Sequence, residues 1–198
     1  MNIVFVHLNT EVPLYLKLNL ELHVERFPEH QIFLLHNRKG KIPKMKGIEA
    51  VEIQENHRWR QLDSLYSHPK DFRNNFWLTS SARLFALEQF MEKGIREVIH
   101  VESDVILAED FPFSIFPNLK KSLAFPLISE ERAAASTVYL RDWGAAELLT
   151  SNLIESARLN PQTTEMLALR RLYERHESTI QPLPLVGTFE SNHRNISQ

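Results

Sequence analysis

The sequence has no cysteine, which removes several kinds of chemistry at once. A disulfide, a thiolate metal ligand and a cysteine nucleophile are all excluded. Absence of cysteine also fits a reducing compartment. Glycine is scarce, with 5 residues in 198. The loop that follows the first apolar run, residues 9–15 (NTEVPLY), contains none, so it is not a glycine-rich phosphate loop.

Neither sign of charge is in excess, and no apolar run is long. The 23 lysines and arginines nearly balance 25 aspartates and glutamates, for a net charge of −2. A nucleic-acid binder that works through a basic surface is therefore not expected. No apolar run approaches the ~20 residues that span a bilayer, and the N-terminus lacks the features of a signal peptide. We expect a soluble, cytoplasmic protein without a membrane span.

Strand-like and helix-like segments alternate along the chain, which predicts parallel strands joined by helices. The length and the 43% of hydrophobic residues suffice for one core. We therefore predict a single α/β domain over residues 1–198, with a central, mostly parallel sheet flanked by helices on both faces. The predicted strands are 2–8, 31–37, 48–53, 96–104, 122–127 and 134–142. The predicted helices are 14–27, 79–94, 143–156 and 163–176.

Some segments carry more specific expectations. Leu14, Leu18, Leu22 and Phe27 recur at near-helical spacing, which predicts the inward face of the first helix. Thr79 or Ser80 is expected to cap the predicted helix 79–94, whose inward residues are Leu84, Leu87, Phe90 and Met91, and Gly94 to end it. Residues 54–77 have no clean period and are expected to be irregular with a helical turn or two. Residues 111–119 contain two prolines, which rule out regular structure across them, and residues 179–189 are expected to form an extended tail.

Two carboxylates interrupt an apolar run in VIHVESDVILAEDF, residues 98–111. In an extended chain Glu102 and Asp104 point to the same side, away from Ser103, at the carboxyl end of a central strand. Ligands bind at that edge of α/β sheets. Converging carboxylates repel unless a cation joins them, and Mg²⁺ or Mn²⁺ prefers such oxygen ligands. The alternative is an exposed acidic turn, but apolar residues 105–107 resume at once and favour an embedded site.

Arg83 is the second unusual residue. In the first turn of a helix that begins near residue 79, its charge opposes the helix dipole, which favours anions there. A residue placed against its local preference suggests another purpose. Beside exposed helix amides, an arginine makes a good anchor for a diphosphate. The alternative is a structural ion pair with Glu88 or Asp110.

The stretch TSSARLFALEQFMEKGIREVIHVESDVILAEDFPFSIF resembles the core of glycosyltransferases with the A-type nucleotide-sugar fold. It has an arginine-bearing helix, an apolar strand, an Asp-x-Asp-type motif that here begins with glutamate, and a trailing Asp110-Phe111. The resemblance implies a nucleoside-diphosphate sugar as donor, an unidentified acceptor, and Mn²⁺ or Mg²⁺ as cofactor. It also implies that Asp104 binds the metal directly and that Glu102 binds it through water or holds the ribose, with Ser103 among the nucleotide-sugar contacts.

Looser matches nominate further residues. NIVFVHLNTEVP resembles the first strand and loop, where the family holds the base and ribose, and this nominates His7 and Asn9. AAASTVYLRDW resembles the strand beside the donor sugar and nominates Ser136 and Thr137. Glu165 matches the acidic residue that reaches the acceptor or acts as base. For His7 and Asn9, the alternative is that they are ordinary polar residues at a strand end. For Glu165, the alternative is a glutamate in the first turn of a helix, where its negative charge interacts favourably with the helix dipole.

The C-terminal stretch VGTFESNHRNISQ resembles the approach to a further metal or diphosphate ligand of the family. Three alternatives stay open: the chain is a fragment, His193 supplies the ligand, or the site is incomplete. Two other functions also stay open. A sugar-phosphate nucleotidyltransferase is disfavoured by the glycine-free first loop. A non-catalytic module that binds a nucleotide sugar or a glycan is made plausible by the short C-terminus.

Overall fold

The computed structural model of the chain describes residues 1–8, 11–37, 42 and 44–184. Its strands are β1 (Asn2–His7), β2 (Gln31–His36), β3 (Ile48–Glu52), β4 (Val98–Val101), β5 (Leu123–Pro126), β6 (Thr137–Leu140) and β7 (Ile180–Leu183). Its α-helices are α1 (Leu14–Arg26), α2 (His57–Leu65), α3 (Phe76–Glu92), α4 (Trp143–Leu159) and α5 (Glu165–Arg175), and 3₁₀ helices span Phe113–Asn118 and Glu177–Thr179.

The strands form one 7-stranded sheet in the order β3-β2-β1-β4-β6-β5-β7. β1, β2, β3 and β4 pair in parallel, and β5 pairs in parallel with β7. β6 runs antiparallel to both of its neighbours, β4 and β5. The predicted single α/β domain with a mostly parallel sheet is confirmed, and so is the central position of β4.

Both faces of the sheet are covered, so the central strands are apolar on both sides. In β1, Ile3 and Phe5 pack on the face that carries α1 and the first 3₁₀ helix. The alternate residues Val4 and Val6 pack on the face that carries α2, α3, α4 and α5. Two hydrophobic layers therefore hold β4 and its carboxyl end in a fixed position.

Helix α1 has the predicted bounds but presents a different face to the core. Leu14 and Leu18 are 70% and 56% exposed, whereas Leu16 and Leu20 are fully buried. Leucine occupies every second position from 14 to 22, so two stripes compete for the core. Helix α1 is rotated about its axis so that Leu16 and Leu20 face the core. Asn19 lies on the same face and favours this rotation, because its side chain hydrogen-bonds to the loop after β4.

Helices α2 and α3 correct the reading of residues 54–80. Residues 57–65, in a stretch where only a helical turn or two was expected, form α2, which Asn56 caps by accepting from the Trp59 amide at 2.9 Å. Helix α3 begins at Phe76, before the expected cap at Thr79 or Ser80, and its N-cap Asn75 has a left-handed backbone. The four predicted inward residues of α3 are buried, and Gly94 follows the helix end with φ +91. Arg83 therefore lies in the middle of α3, and the dipole argument for it was wrong.

The C-terminal described segment adds a strand where an extended tail was expected. β7 pairs with β5 at the edge of the sheet, and its Pro182 is tolerated because an edge strand can spare an amide donor. The proline-rich stretch before β5 forms a 3₁₀ helix that contains Pro117. Within the described residues, no helix combines the length and apolar character needed to cross a membrane.

Candidate functional site

The acidic motif lies in a tight turn at the carboxyl end of β4. The Glu102 amide donates to the Ser136 carbonyl at 3.0 Å, beside the β4–β6 ladder, and the Val105 amide donates back to the Glu102 carbonyl at 3.0 Å. Ser103 and Asp104 are the central residues of this turn. The prediction that Glu102 and Asp104 lie on an extended strand was therefore wrong: β4 ends at Val101, and the motif forms the acidic turn that was the alternative. Asp104 is exposed and Glu102 is partly buried.

Helix α1 holds this turn from the other side. The buried Asn19 side chain donates from Nδ2 to the Ser103 carbonyl at 3.0 Å and to the Val105 carbonyl at 2.9 Å. Two turn carbonyls are thus satisfied by one amide, which fixes the path of the chain around Asp104. His23, one turn further along α1, accepts from the Leu107 amide at 3.3 Å. Neither Asn19 nor His23 was predicted, since no local pattern distinguishes them from other polar residues of a helix.

Arg83 forms an ion pair with the first carboxylate of the motif. Its Nη2 lies 2.6 Å from Glu102 Oε1, and both side chains are partly buried. Two further bonds fix the guanidinium, from Nε to the Ser80 carbonyl at 2.9 Å and from Nη2 to Ser80 Oγ at 3.2 Å. The expected structural alternative, a pair with Glu88 or Asp110, is not what forms: Glu88 pairs with Arg58.

Ser80 joins Arg83 to a second carboxylate. Its hydroxyl donates to Glu165 Oε1 at 2.6 Å, and both residues are buried. Glu165 is the first residue of α5, directly after the N-cap Thr164. Among the described residues, Glu165 Oε2 is buried without a hydrogen-bond partner. A continuous polar chain, Glu165–Ser80–Arg83–Glu102, therefore runs from α5 through α3 to the end of β4.

Two residues next to this polar chain, the buried His100 and the partly buried Tyr66, are uncharged at physiological pH. His100, on β4, is fully buried, and its Nδ1 lies 3.0 Å from the Val4 carbonyl. Burial, with a smaller contribution from the charge of Arg83, lowers the pKa of His100 to about 3. Burial likewise raises the pKa of Tyr66, whose hydroxyl lies 2.7 Å from Ser81 Oγ. Neither residue therefore adds a positive charge to that of Arg83, which pairs with the carboxylate of Glu102.

The remaining predicted residues fall at the same edge of the sheet or outside the described residues. Ser136 accepts the Glu102 amide through its carbonyl, and Thr137 lies opposite Val101 in the β4–β6 ladder. His7 ends β1, the strand beside β4; its Nε2 is 3.0 Å from the Glu11 carbonyl, and burial lowers its pKa. Asn9 lies outside the described residues, as does the C-terminal stretch that contains His193.

The acidic motif suits a hard cation only if a ligand completes the coordination. Over the described part of the chain, no group of three or more Asp, Glu, His or Cys residues could hold a metal by itself. Mg²⁺ usually binds through one or two carboxylates and keeps its other positions for water and phosphate oxygens. Asp104, which is exposed, and Glu102, which is oriented by Arg83, fit that donor set. The residues present are thus compatible with Mg²⁺ or Mn²⁺ bound together with a nucleotide.

Comparisons with known proteins give structural matches without sequence matches. No protein-family model matches the sequence, and no curated protein matches it. The fold is similar to galactosyltransferase LgtC, solved with donor and acceptor sugar analogues, with a TM-score of 0.58 and 12% identity over 91% of this chain and 72% of that one. It is also similar to mouse xyloside xylosyltransferase 1 in its apo form, with a TM-score of 0.57 and 8% identity over 92% of this chain and 85% of that one.

A third similar structure is the PaToxG glycosyltransferase, with a TM-score of 0.53 and 10% identity over 89% of this chain and 70% of that one. At such identities the likeness establishes the fold. The chain has the fold of these glycosyltransferases over about nine-tenths of its length, which confirms the fold implied by the resemblance of residues 79–116.

Proposed function

We propose that this chain is a metal-dependent glycosyltransferase, which moves a sugar from a nucleoside diphosphate to an acceptor. The observation that carries the proposal is the polar chain Glu165–Ser80–Arg83–Glu102 at the carboxyl end of the central strand. That edge is where open α/β sheets bind ligands. The glycosyltransferase fold supports the same assignment, and one similar structure holds donor and acceptor sugar analogues.

Arg83 is proposed to bind the diphosphate of the donor. A guanidinium carries five N–H donors in a planar fork, which matches the oxygens of phosphate as well as those of carboxylate. Its bonds to Ser80 and Glu102 limit the rotamers of the side chain. Arg83 is therefore already oriented before a ligand binds, which lowers the entropic cost of binding.

Asp104 is proposed as the direct metal ligand, and Glu102 as a ligand through water or as the partner of the ribose. When bound, Mg²⁺ or Mn²⁺ would act as a Lewis acid that neutralises the departing diphosphate. The ion pair with Arg83 supports the indirect role of Glu102, because that carboxylate already has a cationic partner. The exposure of Asp104 supports its direct role. His7, Asn9, Ser103, Ser136 and Thr137 are proposed to contact the nucleotide sugar.

Glu165 is proposed to act on the acceptor side, as the base that takes the hydroxyl proton. Ser80 holds Oε1, so Oε2 is the atom available for that proton. Because Oε2 is buried in this arrangement, the acceptor has to displace covering side chains to reach it. The replacement Glu165→Gln keeps the bond from Ser80 and removes the base. We expect it to lower the transfer rate by about 10²–10⁴-fold at unchanged nucleotide affinity, whereas a purely structural glutamate would change the melting temperature and leave the rate alone.

The experiment that tests the function is a titration of the protein with uridine and guanosine diphosphates, with and without Mn²⁺, followed by incubation with the matching sugar nucleotides. We expect metal-dependent binding of one diphosphate and release of that diphosphate from its sugar nucleotide, faster when an acceptor is present. Failure to bind either diphosphate with Mn²⁺ or Mg²⁺ would contradict the proposal. Tight binding without any turnover would identify a binding module instead.

A further inference from the structure

We propose that four aromatic rings at the start of α3 form the subsite for a pyranose ring of the acceptor. We call His68, Phe72, Phe76 and Trp77 the aromatic platform. The inference rests on the proposed glycosyltransferase function and extends it, since it assigns a place and a ligand chemistry to the acceptor. Neither the acidic motif nor the polar chain from Glu165 to Glu102 includes any of these residues.

The rings of the aromatic platform are ordered against one another. Trp77 is stacked with His68, with centroids 5.1 Å apart and planes at 24°, and with Phe72 at 5.9 Å and 15°. Phe76 meets both Phe72 and Trp77 edge-on, at 84° and 75°. Such stacked and edge-to-face pairs stabilise one arrangement of the rings. A bound ring would therefore meet a surface that is already formed.

Two of these rings are partly exposed to solvent, although the guanidinium of Arg73 lies over the Phe72 ring, 5.5 Å from its centroid. Phe72 and Phe76 are 42% and 39% exposed, although phenylalanine is among the residues most often buried. They are adjacent in space and continuous with the partly buried Trp77. A contiguous exposed apolar patch with a polar rim is typical of a binding surface. Here the rim includes exposed Lys70 and Asp71.

The backbone between the two phenylalanines is held in an unfavourable conformation. Arg73, Asn74 and Asn75 have φ values of 44, 55 and 62, three successive left-handed residues without a glycine. Asparagine adopts this region more readily than most residues, but three consecutive residues there are unusual, and a residue such as Arg73 costs about 1 kcal/mol or more. The segment brings Phe76 back to Phe72, whose carbonyl accepts the Phe76 amide at 3.0 Å. Strain that places two exposed rings side by side supports a functional reason for their arrangement.

The aromatic platform is joined to the loop that carries the proposed base. His68 Nε2 lies 2.8 Å from the Thr163 carbonyl, and the Ser67 amide donates to the Pro161 carbonyl at 3.0 Å. The same loop leads through the N-cap Thr164 into Glu165. Helix α3 ends shortly before β4 begins, and as a connection between parallel strands it runs opposite to them. The start of α3 therefore lies at the edge of the sheet where β4 ends, the carboxyl edge. The platform thus flanks the acceptor side of the candidate site.

Exposed aromatic rings are suited to bind a pyranose sugar. A pyranose ring presents several C–H groups on one face and hydroxyls around its rim. The C–H face packs on the electron-rich face of an aromatic ring, and the hydroxyls stay solvated or reach polar neighbours. A nucleobase could also stack on such rings, but the proposed nucleotide contact His7 lies on the β1 side of the site. The attachment to the Glu165 loop therefore favours an acceptor sugar.

Saturation-transfer NMR tests the inference with methyl glycosides of glucose and galactose, lactose, maltose and uridine as probes. Measurements are made with and without uridine diphosphate and Mn²⁺. We expect transfer to the ring protons of at least one sugar, and affinity weakened about two- to tenfold for each ring removed in Phe72→Ala and Phe76→Ala. Both side chains are exposed, so these variants keep the fold, which circular dichroism checks. Trp143→Ala is the matched control, because Trp143 is 41% exposed and lies after the end of β6, at the opposite edge of the sheet.

Three results would overturn the assignment of the platform as a sugar subsite. They are no sugar signal in the unmodified protein, equal sugar signals in all variants, or loss of the uridine signal alone in Phe72→Ala and Phe76→Ala, which would assign the platform to the nucleobase. Failure of the proposed function is a separate result, since it appears as absent diphosphate binding in the unmodified protein. Sugar binding without diphosphate binding would contradict the acceptor role of the platform.

Discussion

At the scale of single residues, Arg83 connects two carboxylates that belong to different elements. It contacts Glu102 directly and reaches Glu165 through Ser80. Buried or partly buried carboxylates need a charge partner or hydrogen bonds, because burial disfavours the ionised form. Arg83 is therefore both a structural link and the proposed phosphate ligand, and the two roles can be separated by experiment.

The first prediction separates them. In Arg83→Ala we expect affinity for uridine diphosphate to fall more than affinity for uridine, because guanidinium pairs with phosphate and uridine has none. Arg83→Lys keeps the charge but loses the planar fork, so its loss should be intermediate. Calorimetric titration of both ligands into the three proteins gives the answer. Equal losses for both ligands would mean that Arg83 serves only to hold Glu102.

The second prediction concerns Asp104. Asp104→Asn keeps the size of the side chain and removes its charge, so we expect metal-dependent binding of the diphosphate to collapse. Stability without metal should stay the same or rise, since fewer like charges share the turn. The matched control is Glu109→Gln, which removes an exposed carboxylate from the same segment. Unchanged metal-dependent affinity in Asp104→Asn would remove Asp104 from the site.

Sequence reasoning located part of this site and missed the rest for identifiable reasons. Glu102 was predicted because an acid interrupts an apolar run. Arg83 was predicted because its charge was expected to oppose a helix dipole, an argument that fails because α3 begins at Phe76. Their direct contact was not predicted, because it depends on where α3 begins and on how the chain turns after β4. Ser80 appeared only as a helix cap, and Asn19 gave no signal. Both act through long-range hydrogen bonds that no local pattern records.

At the scale of elements, Arg58 connects the helices on one face of the sheet. From α2, its Nη1 lies 3.4 Å from Glu88 Oε1 on α3, and its Nη2 donates to Thr150 Oγ1 at 2.9 Å and to Ser151 Oγ at 2.8 Å on α4. Glu88 is buried, and burial raises its pKa although the charge of Arg58 opposes that shift. These contacts fix α3, and with it Ser80 and Arg83, against its neighbours.

The third prediction follows from that pair. Arg58→Met leaves Glu88 buried without its cation, so we expect a loss of about 3 kcal/mol in the free energy of unfolding. The double variant Arg58→Met/Glu88→Leu removes both charges and should recover most of the loss. Chemical denaturation of the unmodified protein and the variants measures both effects. A double variant as unstable as Arg58→Met alone would show that packing of the Arg58 stem, and not its charge, holds the helices.

The elements themselves were predicted to different degrees. Strands with continuous apolar runs, such as β1 and β4, were found because burial on both faces leaves a plain pattern. The extent of α2 was missed, and only a helical turn or two was expected there, because histidine, arginine and aromatics obscure its period and only Trp59 and Leu62 of the helix are buried. The inward face of α1 was wrong because two leucine stripes compete, and contacts with a distant loop select one of them.

At the scale of the whole molecule, the middle strand of the sheet carries a fully buried histidine, His100, whose protonation links stability to pH. β4 is the middle strand, and its His100 is fully buried between Val4 and the Arg83 side of the sheet. Among the described residues its Nε2 has no hydrogen-bond partner. A proton there would be buried without an anion, beside the positive charge of Arg83. Burial therefore favours the neutral imidazole in the folded protein.

The fourth prediction is that stability falls steadily as the pH drops below about 6.5. The pKa of His100 is lowered from 6.5 to about 3 in the folded protein. The unfolded chain therefore takes up a proton from about pH 6.5 downward, whereas the folded chain takes it up only near pH 3. The stabilisation is complete above pH 6.5 and is lost between these two values, at about 1.4 kcal/mol per pH unit. Burial also lowers the pKa of His7 and His23, which adds to the slope in the same direction.

His100→Gln isolates the contribution of that one residue. Glutamine does not titrate, so we expect the variant to be less stable at pH 7.5, through imperfect packing, yet to lose less stability than the unmodified protein between pH 6.5 and 5. Over that range the difference in slope should approach about 1.4 kcal/mol per pH unit. His57→Gln, which replaces an exposed histidine at the start of α2, is the matched control and should keep a slope close to that of the unmodified protein. Denaturant unfolding at four pH values measures all three. Parallel pH profiles for His100→Gln and the unmodified protein would show that His100 is not the group that carries the acid sensitivity, and that the proton enters the folded sheet without cost.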